Sequence, residues 1–177
     1  GRGISYNAPT ALAVHLHPRT LKPAVPLSPW PERLDERWEA ESVDWMGHRL
    51  RDFRKAARFD AFLRSQSDYI EAVEGTYRDF LEERDVVGWL DDFFGPLQGS
   101  TYQVIPGLLL GNSNHGTSRI EPDGSWSLTP VLGVGVEGDG IPELTVGDEL
   151  LLVHELGHAY INPLFEQHPG ALQPGAE

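Results

Sequence analysis

Apolar residues recur every three or four positions through the first half of the chain, the spacing of amphipathic helices. The first stripe covers residues 42–57 and begins at Ser42, a residue type suited to cap a helix. A second stripe covers residues 62–81, opposite a row of charged side chains, and a third covers 86–94 and ends at a Gly-Pro pair. The pattern predicts three helices within residues 32–95, with their apolar stripes packed into a core.

Two shorter apolar runs follow, at residues 102–105 and 108–110, and their length and composition are typical of strands. Pro106 and Gly107 separate the two runs. Because proline cannot donate to a strand ladder, this pair indicates an edge strand or a bulge.

The next residues predict a hairpin. Glu121-Pro122-Asp123-Gly124 is a strong turn sequence, and strand-like residues precede it and follow it as far as Val136. We expect the hairpin to extend from about residue 118 to 134. With the two preceding runs it would form a small antiparallel sheet within residues 96–145.

A last helix is predicted from Thr145 onward. Thr145 suits the N-cap position, and Asp148 stands where the glutamate of a capping box usually stands. Apolar residues from Leu150 to Ile161 lie on nearly every side, as in a helix that crosses the middle of a domain. Pro163 predicts the end of the helix, because proline disfavours helical geometry in the residue before it. We therefore expect a helix of about four turns.

This helix contains His154-Glu155-Leu156-Gly157-His158. Residues four apart lie on one helix face, so His154 and His158 can direct two imidazole nitrogens at one metal ion. A catalytic zinc takes three protein ligands and leaves a fourth position to water. Glu155 lies about 100° around the helix from His154, where its carboxylate can take a proton from that water. The motif predicts a Zn²⁺ site with His154 and His158 as metal ligands and Glu155 as the catalytic base.

A third zinc ligand has to lie outside the motif. Ile161 and Leu164 occupy the positions at which a metzincin helix has glycine and histidine. His168 lies in a Gln-His-Pro-Gly turn, which favours a solvent-facing side chain. Glu177 has a spacing used by some zincins, but Pro174 precedes it in place of a helix. The alternative that we favour is a residue beyond the end of this chain.

Asn112-Ser113-Asn114-His115-Gly116 allows two interpretations. Asn112 and Asn114 could form a polar rim near the metal and bind substrate, with a peptide added as a further strand. Alternatively, the stretch is an ordinary turn rich in asparagine and glycine. Both interpretations stay open at this point.

Composition excludes several classes of partner. The formal charge of −13, from 27 acidic and 14 basic residues, would repel a phosphate backbone, so we expect no nucleic-acid partner. No apolar run approaches the roughly 20 residues that span a membrane, so we expect no membrane insertion. The chain has no cysteine. A metal must therefore use His, Asp or Glu, and a purely structural zinc, which commonly takes thiolates, is disfavoured.

The length of 177 residues suits a single domain. The sequence starts at Gly1 without an initiator methionine, and we expect it to be a fragment. We divide the domain 1–177 into an N-terminal and proline-rich segment (1–31), a helical part (32–95), a sheet (96–145), and an active-site helix with a truncated C-terminal part (146–177).

Three stretches resemble a known family: residues 89–95, residues 110–116 and, above all, residues 154–164 with the two histidines and Ile161-Asn162-Pro163-Leu164. They are similar to the bacterial family known as domain of unknown function 4932, and the similarity covers most of the chain. The resemblance implies a zincin-like metallopeptidase, usually part of an exported protein, without an established substrate. It also implies that a glutamate well downstream of the histidines is the third ligand. A secreted or periplasmic location is expected on this ground.

These inferences predict an α+β, zincin-like fold: N-terminal helices, a small antiparallel sheet, then the active-site helix. The predicted function is that of a zinc-dependent metallopeptidase that acts on a peptide or protein substrate. The unassigned third ligand leaves an alternative, a non-catalytic module that keeps the zincin scaffold to bind a protein or glycan. Nothing in the sequence indicates an oligomeric state.

Overall fold

The computed structural model describes residues 8–135 and 140–167, with the backbone alone at 163–167. Helices come first, strands follow, and a long helix comes last, so the fold is mixed α+β as predicted. The helices are α1 Ala8–Val14, α2 Ala40–Ala56, α3 Phe59–Ser65, α4 Ser67–Arg84, α5 Val86–Phe94 and α6 Val146–Gln167. The strands are β1 Thr101–Tyr102, β2 Ile105–Gly107, β3 His115–Ile120 and β4 Trp126–Gly133. No helix in these two ranges is both long enough and apolar enough to cross a membrane.

The helical half differs from its prediction in two boundaries. Ser42 lies inside α2, because the chain turns at Glu39 (φ 54°) directly after the 3₁₀ turn Glu36–Trp38, and the helix starts there. The stripe over residues 62–81 belongs to two helices, since the chain leaves helical geometry at Gln66 (φ −107°, ψ 11°) between α3 and α4. The predicted end of α5 is confirmed: Gly95 has a φ of 88°.

Two apolar clusters form the core. The larger one joins α4, α5, β4 and α6, and the smaller one joins α1 to the start of α2. The predicted α4 stripe is buried at Val73, Tyr77 and Phe80, whereas Phe62 on α3 is 54% exposed. The larger cluster consists of Val73, Tyr77, Phe80, Val86, Leu90, Leu128, Leu132, Val134, Leu152, Leu156 and Tyr160. The smaller cluster consists of Ala8, Leu12, Leu16, Leu34, Trp38 and Val43.

The sheet is centred on β4. The predicted hairpin is confirmed: β3 pairs antiparallel with β4, and the backbone N–H of Glu121 donates to Ser125 at 2.8 Å across the turn. The prediction of an antiparallel sheet was wrong in its other part, because β1 and β2 run parallel to β4 along its opposite edge. The sheet is therefore mixed. Pro106 lies in β2, which pairs only with β4 among the described strands, so the predicted edge position is confirmed.

β1 and β2 behave as one strand with a break. Thr101 pairs with Ser127 and Ile105 with Val131, the same offset along the chain. Between them the N–H of Gln103 donates to Leu128 at 2.9 Å. A parallel ladder would next need an N–H from Pro130, which proline lacks. The break therefore follows from the sequence of β4.

Residues 108–110 form a turn, so their assignment as a strand was wrong. The N–H of Leu110 donates to Gly107 at 2.9 Å, and the N–H of Ser113 donates to Leu110 at 3.1 Å. The reason is topological. The chain leaves β2 on one edge of β4 and has to reach β3 on the other edge.

The start of α6 is formed as predicted. The backbone N–H and the hydroxyl of Thr145 both donate to the carboxylate of Asp148, at 2.7 and 2.8 Å, and the N–H of Gly147 donates to the Thr145 hydroxyl at 3.2 Å. The end was predicted wrongly, because the helix continues through Pro163 to Gln167. Proline removes one helix hydrogen bond, but residues on both sides keep helical geometry.

α6 was also expected to be apolar and buried on nearly every side, which is wrong. Leu152, Leu156 and Tyr160, spaced by four, face the larger core cluster. In contrast, Leu150 is 65% exposed and Leu151 38% exposed. The helix therefore has one buried face and one outer face, and the outer face contains the motif histidines.

Candidate active site

His154 and His158 lie on the outer face of α6, and both are exposed. Their ring centroids are 4.8 Å apart, with the ring planes at 81°. Leu152, which precedes His154 by two residues, lies about 200° around the helix from it. The core therefore holds the helix on one side while both imidazoles face outward on another.

Glu155 lies where α6 packs against β3, and its side chain is half-buried. Gly116 of β3 is the contact. A Cβ atom at Gly116 would lie 2.5 Å from the carbonyl oxygen of Glu155 and 3.0 Å from its carboxylate oxygen Oε2. Only glycine therefore allows the strand to approach the helix this closely, and the strand backbone borders the Glu155 carboxylate.

A cleft of about 140 Å³ opens beside this contact. Glu155, His158 and Asn162 of α6 lie on one side of it, and residues 116–118 of β3 lie on another. Arg33 and Trp126 also line the cleft, with the Arg33 guanidinium 4.8 Å from the centroid of the Trp126 ring. We call this space the Glu155 cleft. It places a carboxylate, an imidazole and a guanidinium around a volume the size of one side chain.

A chain of hydrogen bonds fixes α6 on the side of the core. The Tyr160 hydroxyl donates to Asp91 of α5 at 2.7 Å and lies 2.7 Å from the hydroxyl of Tyr102 in β1. Burial, together with these two hydrogen bonds, holds the pKa of Tyr160 well above its usual range. The Tyr160 side chain packs in the core, where it is buried.

Asn112 and Asn114 lie in the loop between β2 and β3. The Asn114 side chain accepts a hydrogen bond from the N–H of Gly133 at 3.0 Å, and its amide group donates to the carbonyl of Asn112 at 3.3 Å. These bonds attach the loop to the end of β4. Neither asparagine lines the Glu155 cleft. Their contacts agree with the turn interpretation, and substrate binding by Asn112 and Asn114 stays a prediction.

The residues considered for the third ligand, Glu177 and His168, lie outside the part of the chain that the structure describes. Within 8–135 and 140–167, no group of three or more His, Asp or Glu side chains comes together in a way that could hold a metal ion. The described residues therefore offer His154 and His158 for the predicted zinc site, which would require three protein ligands.

Sequence reasoning missed three residues that position this site. Gly116 had a usable signal, since a glycine inside a strand often marks the close approach of another backbone. Arg33 had no such signal, because it precedes the first apolar stripe at residues 42–57 and is far along the chain from the motif. Asp91 belongs to a stretch that was noted for its family resemblance, and the structure adds a contact: it accepts the hydrogen bond from Tyr160.

Comparison with known proteins gives one match. The profile of the family described as Domain of unknown function (DUF4932) matches residues 33–174. That range contains the four helices α2 to α5, the whole sheet and α6. No curated protein and no solved structure matches the chain.

Proposed function

The chain belongs to the family described as Domain of unknown function (DUF4932), a description without an activity, and from its own residues we propose that it is a zinc-dependent metallopeptidase. One observation supports this above all. Two imidazoles lie 4.8 Å apart on the outer face of α6, next to a glutamate that borders a cleft.

The donor atoms suit zinc. Imidazole nitrogen is a common zinc ligand, and two histidines one helix turn apart can share one ion. A zinc ion bound there would supply a Lewis acid that polarises water and the carbonyl group of the substrate. His154 and His158 would hold it, and the third ligand would come from outside the described residues.

Glu155 is suited to move protons. In the proposed reaction its carboxylate takes a proton from water as the water oxygen attacks the carbonyl carbon of the peptide bond. Glu155 then gives that proton to the leaving nitrogen as the carbon–nitrogen bond breaks. The contact with Gly116 fixes the backbone of Glu155 against β3, so folding places this residue beside the cleft before a substrate arrives.

β3 offers a place for an extended substrate. Its pairing partner opposite Gly116 is Pro130, which has no N–H, so this is a non-hydrogen-bonded pair. The antiparallel alternation then directs the backbone groups of Gly116 and Ser118 away from β4. On that side β3 has no strand partner in the part of the chain that the structure describes. A peptide that pairs with these groups would lie along the Glu155 cleft beside α1, which packs against β3 and contributes Ala11 to the cleft wall.

The test combines metal content with hydrolysis. We expect about one zinc per purified chain by elemental analysis, lost in His154→Ala and retained in His48→Ala, which removes an exposed histidine on α2. Glu155→Gln should keep the zinc, but its rate of hydrolysis of a peptide mixture should fall by at least about 100-fold. Mass spectrometry of the products measures that rate. A folded wild-type chain without zinc would contradict a metal site completed by residues of this chain. A Glu155→Gln variant with wild-type hydrolysis would contradict the assigned base.

His154 and His158 are exposed, and among the described residues no third ligand joins them. These two observations support one alternative function. The chain would then be a non-catalytic module that binds a protein or glycan with the same scaffold. It would form no products from any peptide, and Glu155→Gln would bind the same ligand as well as the wild type does. These two results together distinguish it from the peptidase.

A further inference from the structure

We propose that the outer surface formed by α2 and α3 binds the surface of an anionic lipid bilayer. This surface, which we call the α2/α3 patch, combines exposed large apolar side chains with an excess of cations. Its apolar members are Trp45, Phe53, Phe62 and Leu63, and its cations are Arg49, Lys55, Arg58 and Arg64, all of them exposed. The proposal concerns where the chain is held and does not depend on the peptidase activity.

The apolar side chains of the patch are contiguous across two helices. Phe59 lies between Phe53 of α2 and Phe62 of α3, with ring centroids 6.0 and 5.9 Å apart. In the part of the chain that the structure describes, no residue of α3 is buried, although four of its seven residues are apolar. The rings therefore form one cluster open to solvent, and exposed apolar clusters mark surfaces that bind a partner or a membrane.

Trp45 extends this apolar surface along α2. It precedes Arg49 by four residues and Phe53 by eight, so the three lie within about 80° of one another around the helix. The Trp45 side chain is 56% exposed, and the Arg49 guanidinium lies 5.6 Å from the centroid of its ring. Tryptophan and long cationic side chains are typical of protein surfaces at the boundary between lipid head groups and acyl chains.

Residues 45–64 are cationic in an acidic chain. They contain six of the 14 basic residues and two of the 27 acidic ones, a formal charge of +4, so the rest of the chain carries −17. Charges further apart than about 8 Å are largely screened at physiological ionic strength. A bilayer that touches the patch would therefore meet its local positive charge, although the whole chain is negative.

Three cations of the patch are available to a partner. Lys55, Arg58 and Arg64 are exposed and form no ion pair with any side chain in the described ranges. The two acidic residues of the segment are engaged elsewhere: Asp52 lies 3.7 Å from Arg49, and Asp60 lies 2.7 Å from Arg54. The positive charge of the patch is therefore not neutralised by its own carboxylates.

An anionic bilayer matches both properties of the patch. Its head groups attract the cations, and its interface accepts the apolar side chains. Nucleic acid matches less well, because its bases stack on free aromatic faces, whereas Phe53, Phe59 and Phe62 are tilted against one another by 48° and 31°. A symmetric dimer through the patch would bring two positive surfaces together.

The first test is sedimentation of the chain with lipid vesicles. We expect the wild type to sediment with vesicles of equal parts phosphatidylserine and phosphatidylcholine, and to stay in solution with phosphatidylcholine alone. Added salt should weaken the binding. Phe53→Ser should weaken it about 10-fold and Arg64→Gln about 5-fold. A folded wild type that does not bind the anionic vesicles, or that binds both kinds equally, would overturn the proposal.

Phe93→Ser and Arg78→Gln are the matched controls. Phe93 on α5 is 71% exposed, more than Phe53, but it follows Asp91 and Asp92 in place of cations. Arg78 is an exposed cation of α4, outside the patch. Both variants should bind the vesicles as the wild type does. Losses equal to those of Phe53→Ser and Arg64→Gln would overturn the patch, because they would trace binding to overall hydrophobicity and charge.

Tryptophan fluorescence locates the contact. Anionic vesicles should shift the emission of the wild type to shorter wavelength, because Trp45 would leave water for the lipid interface. Trp45→Phe should abolish the shift, whereas Trp89→Phe, which removes an exposed tryptophan of α5, should keep it. An unchanged shift in Trp45→Phe would place the contact elsewhere on the chain and overturn the patch.

Two further measurements distinguish other occupants of the patch. Fluorescence anisotropy with a labelled single-stranded oligonucleotide tests nucleic acid, and sedimentation velocity tests a second copy of the chain. If the wild type leaves the vesicles in solution but binds the oligonucleotide or dimerises, and Phe53→Ser abolishes that binding, the patch serves this other partner and the lipid proposal is wrong. None of these outcomes alters the zinc content or the hydrolysis by which the proposed function is tested.

Discussion

Gly116→Ala adds a single methyl group at the point where β3 meets α6. The backbone angle at Gly116 lies outside the left-handed region, so alanine can adopt it without strain of its own. The penalty therefore comes from contact alone. The new Cβ would lie 2.5 Å from the carbonyl oxygen of Glu155, which is part of a helix and cannot rotate away as a side chain could.

The size of the effect follows from that distance. An ordinary contact begins at about 3.4 Å, so β3 and α6 would have to separate by close to 3.4 − 2.5 = 0.9 Å. Overpacking of this kind costs about 1–3 kcal/mol, and the lower chain entropy of alanine returns about 0.4–1 kcal/mol. We expect the free energy of unfolding to fall by about 1–2 kcal/mol. For a chain of this length that lowers Tm by about 2–8 °C.

The rate of hydrolysis should fall by a larger factor than the loss in free energy of unfolding alone would produce. Glu155 would move with the helix relative to the strand along which the substrate is proposed to lie. A misplacement near 1 Å can lower a rate about 100-fold. Thermal unfolding followed by circular dichroism gives Tm, and hydrolysis of the peptide mixture gives the rate at a temperature where both proteins are folded.

Gly75→Ala is the control. Gly75 lies within α4, with no atom within 4 Å of its added Cβ, so alanine there should raise stability by up to about 1 kcal/mol. If Gly116→Ala matched the wild type in Tm and in hydrolysis, the close packing of β3 on α6 would be refuted. The argument that glycine positions Glu155 would fall with it.

Two further pairs of variants test the core. Leu152→Ala should lower the free energy of unfolding by about 3 kcal/mol in urea denaturation, because Leu152 is fully buried. Leu150→Ala, on the exposed face, should change the free energy of unfolding by less than about 0.5 kcal/mol. Equal losses in the two variants would contradict an α6 that is buried on one face only. Tyr77→Phe should leave the free energy of unfolding unchanged, because the buried Tyr77 hydroxyl has no hydrogen-bond partner among the described residues. Tyr160→Phe should lower the free energy of unfolding by about 1–2 kcal/mol, because Asp91 loses its hydrogen-bond donor. Burial raises the pKa of Tyr77 to about 12. An ordinary tyrosine has a pKa of about 10, so this phenol ionises more readily in the unfolded chain, and the free energy of unfolding should fall as pH rises from about 10 to 12. Tyr77→Phe should weaken that alkaline loss, and an unchanged profile would contradict the assignment.

Local chemistry explains what the sequence could predict. The hydrogen bonds between Thr145 and Asp148, the turn after Ile120 and the end of α5 at Gly95 all depend on residues a few positions apart. The local sequence is therefore enough to predict these caps and turns. The pair of histidines on one face of α6 is of the same kind, since helix geometry alone brings them together.

The wrong or missing parts depend on distant residues. The parallel pairing of β1 and β2 is decided by which side of β4 the chain takes after Gly107, and Pro130 interrupts that pairing only once the register is fixed. The exposure of Leu150 depends on which helices pack against α6. Arg33 and Trp126 meet across 93 positions of sequence, the difference between their numbers, and no periodicity indicates such a contact.

α6 is held on two sides along its motif. Gly116 of β3 touches it at Glu155, and Asp91 and Tyr102 bond to Tyr160, little more than one turn further on. A helix held at two angular positions cannot roll about its axis. The directions of the two imidazoles are therefore set by α5 and the sheet, at contacts that do not involve the imidazoles themselves. Loss of the Asp91 carboxylate would remove one of these attachments and allow α6 to rotate, so the two imidazoles would change direction. The chemical reactivity of the two histidines would then report how firmly α5 and the sheet hold the helix.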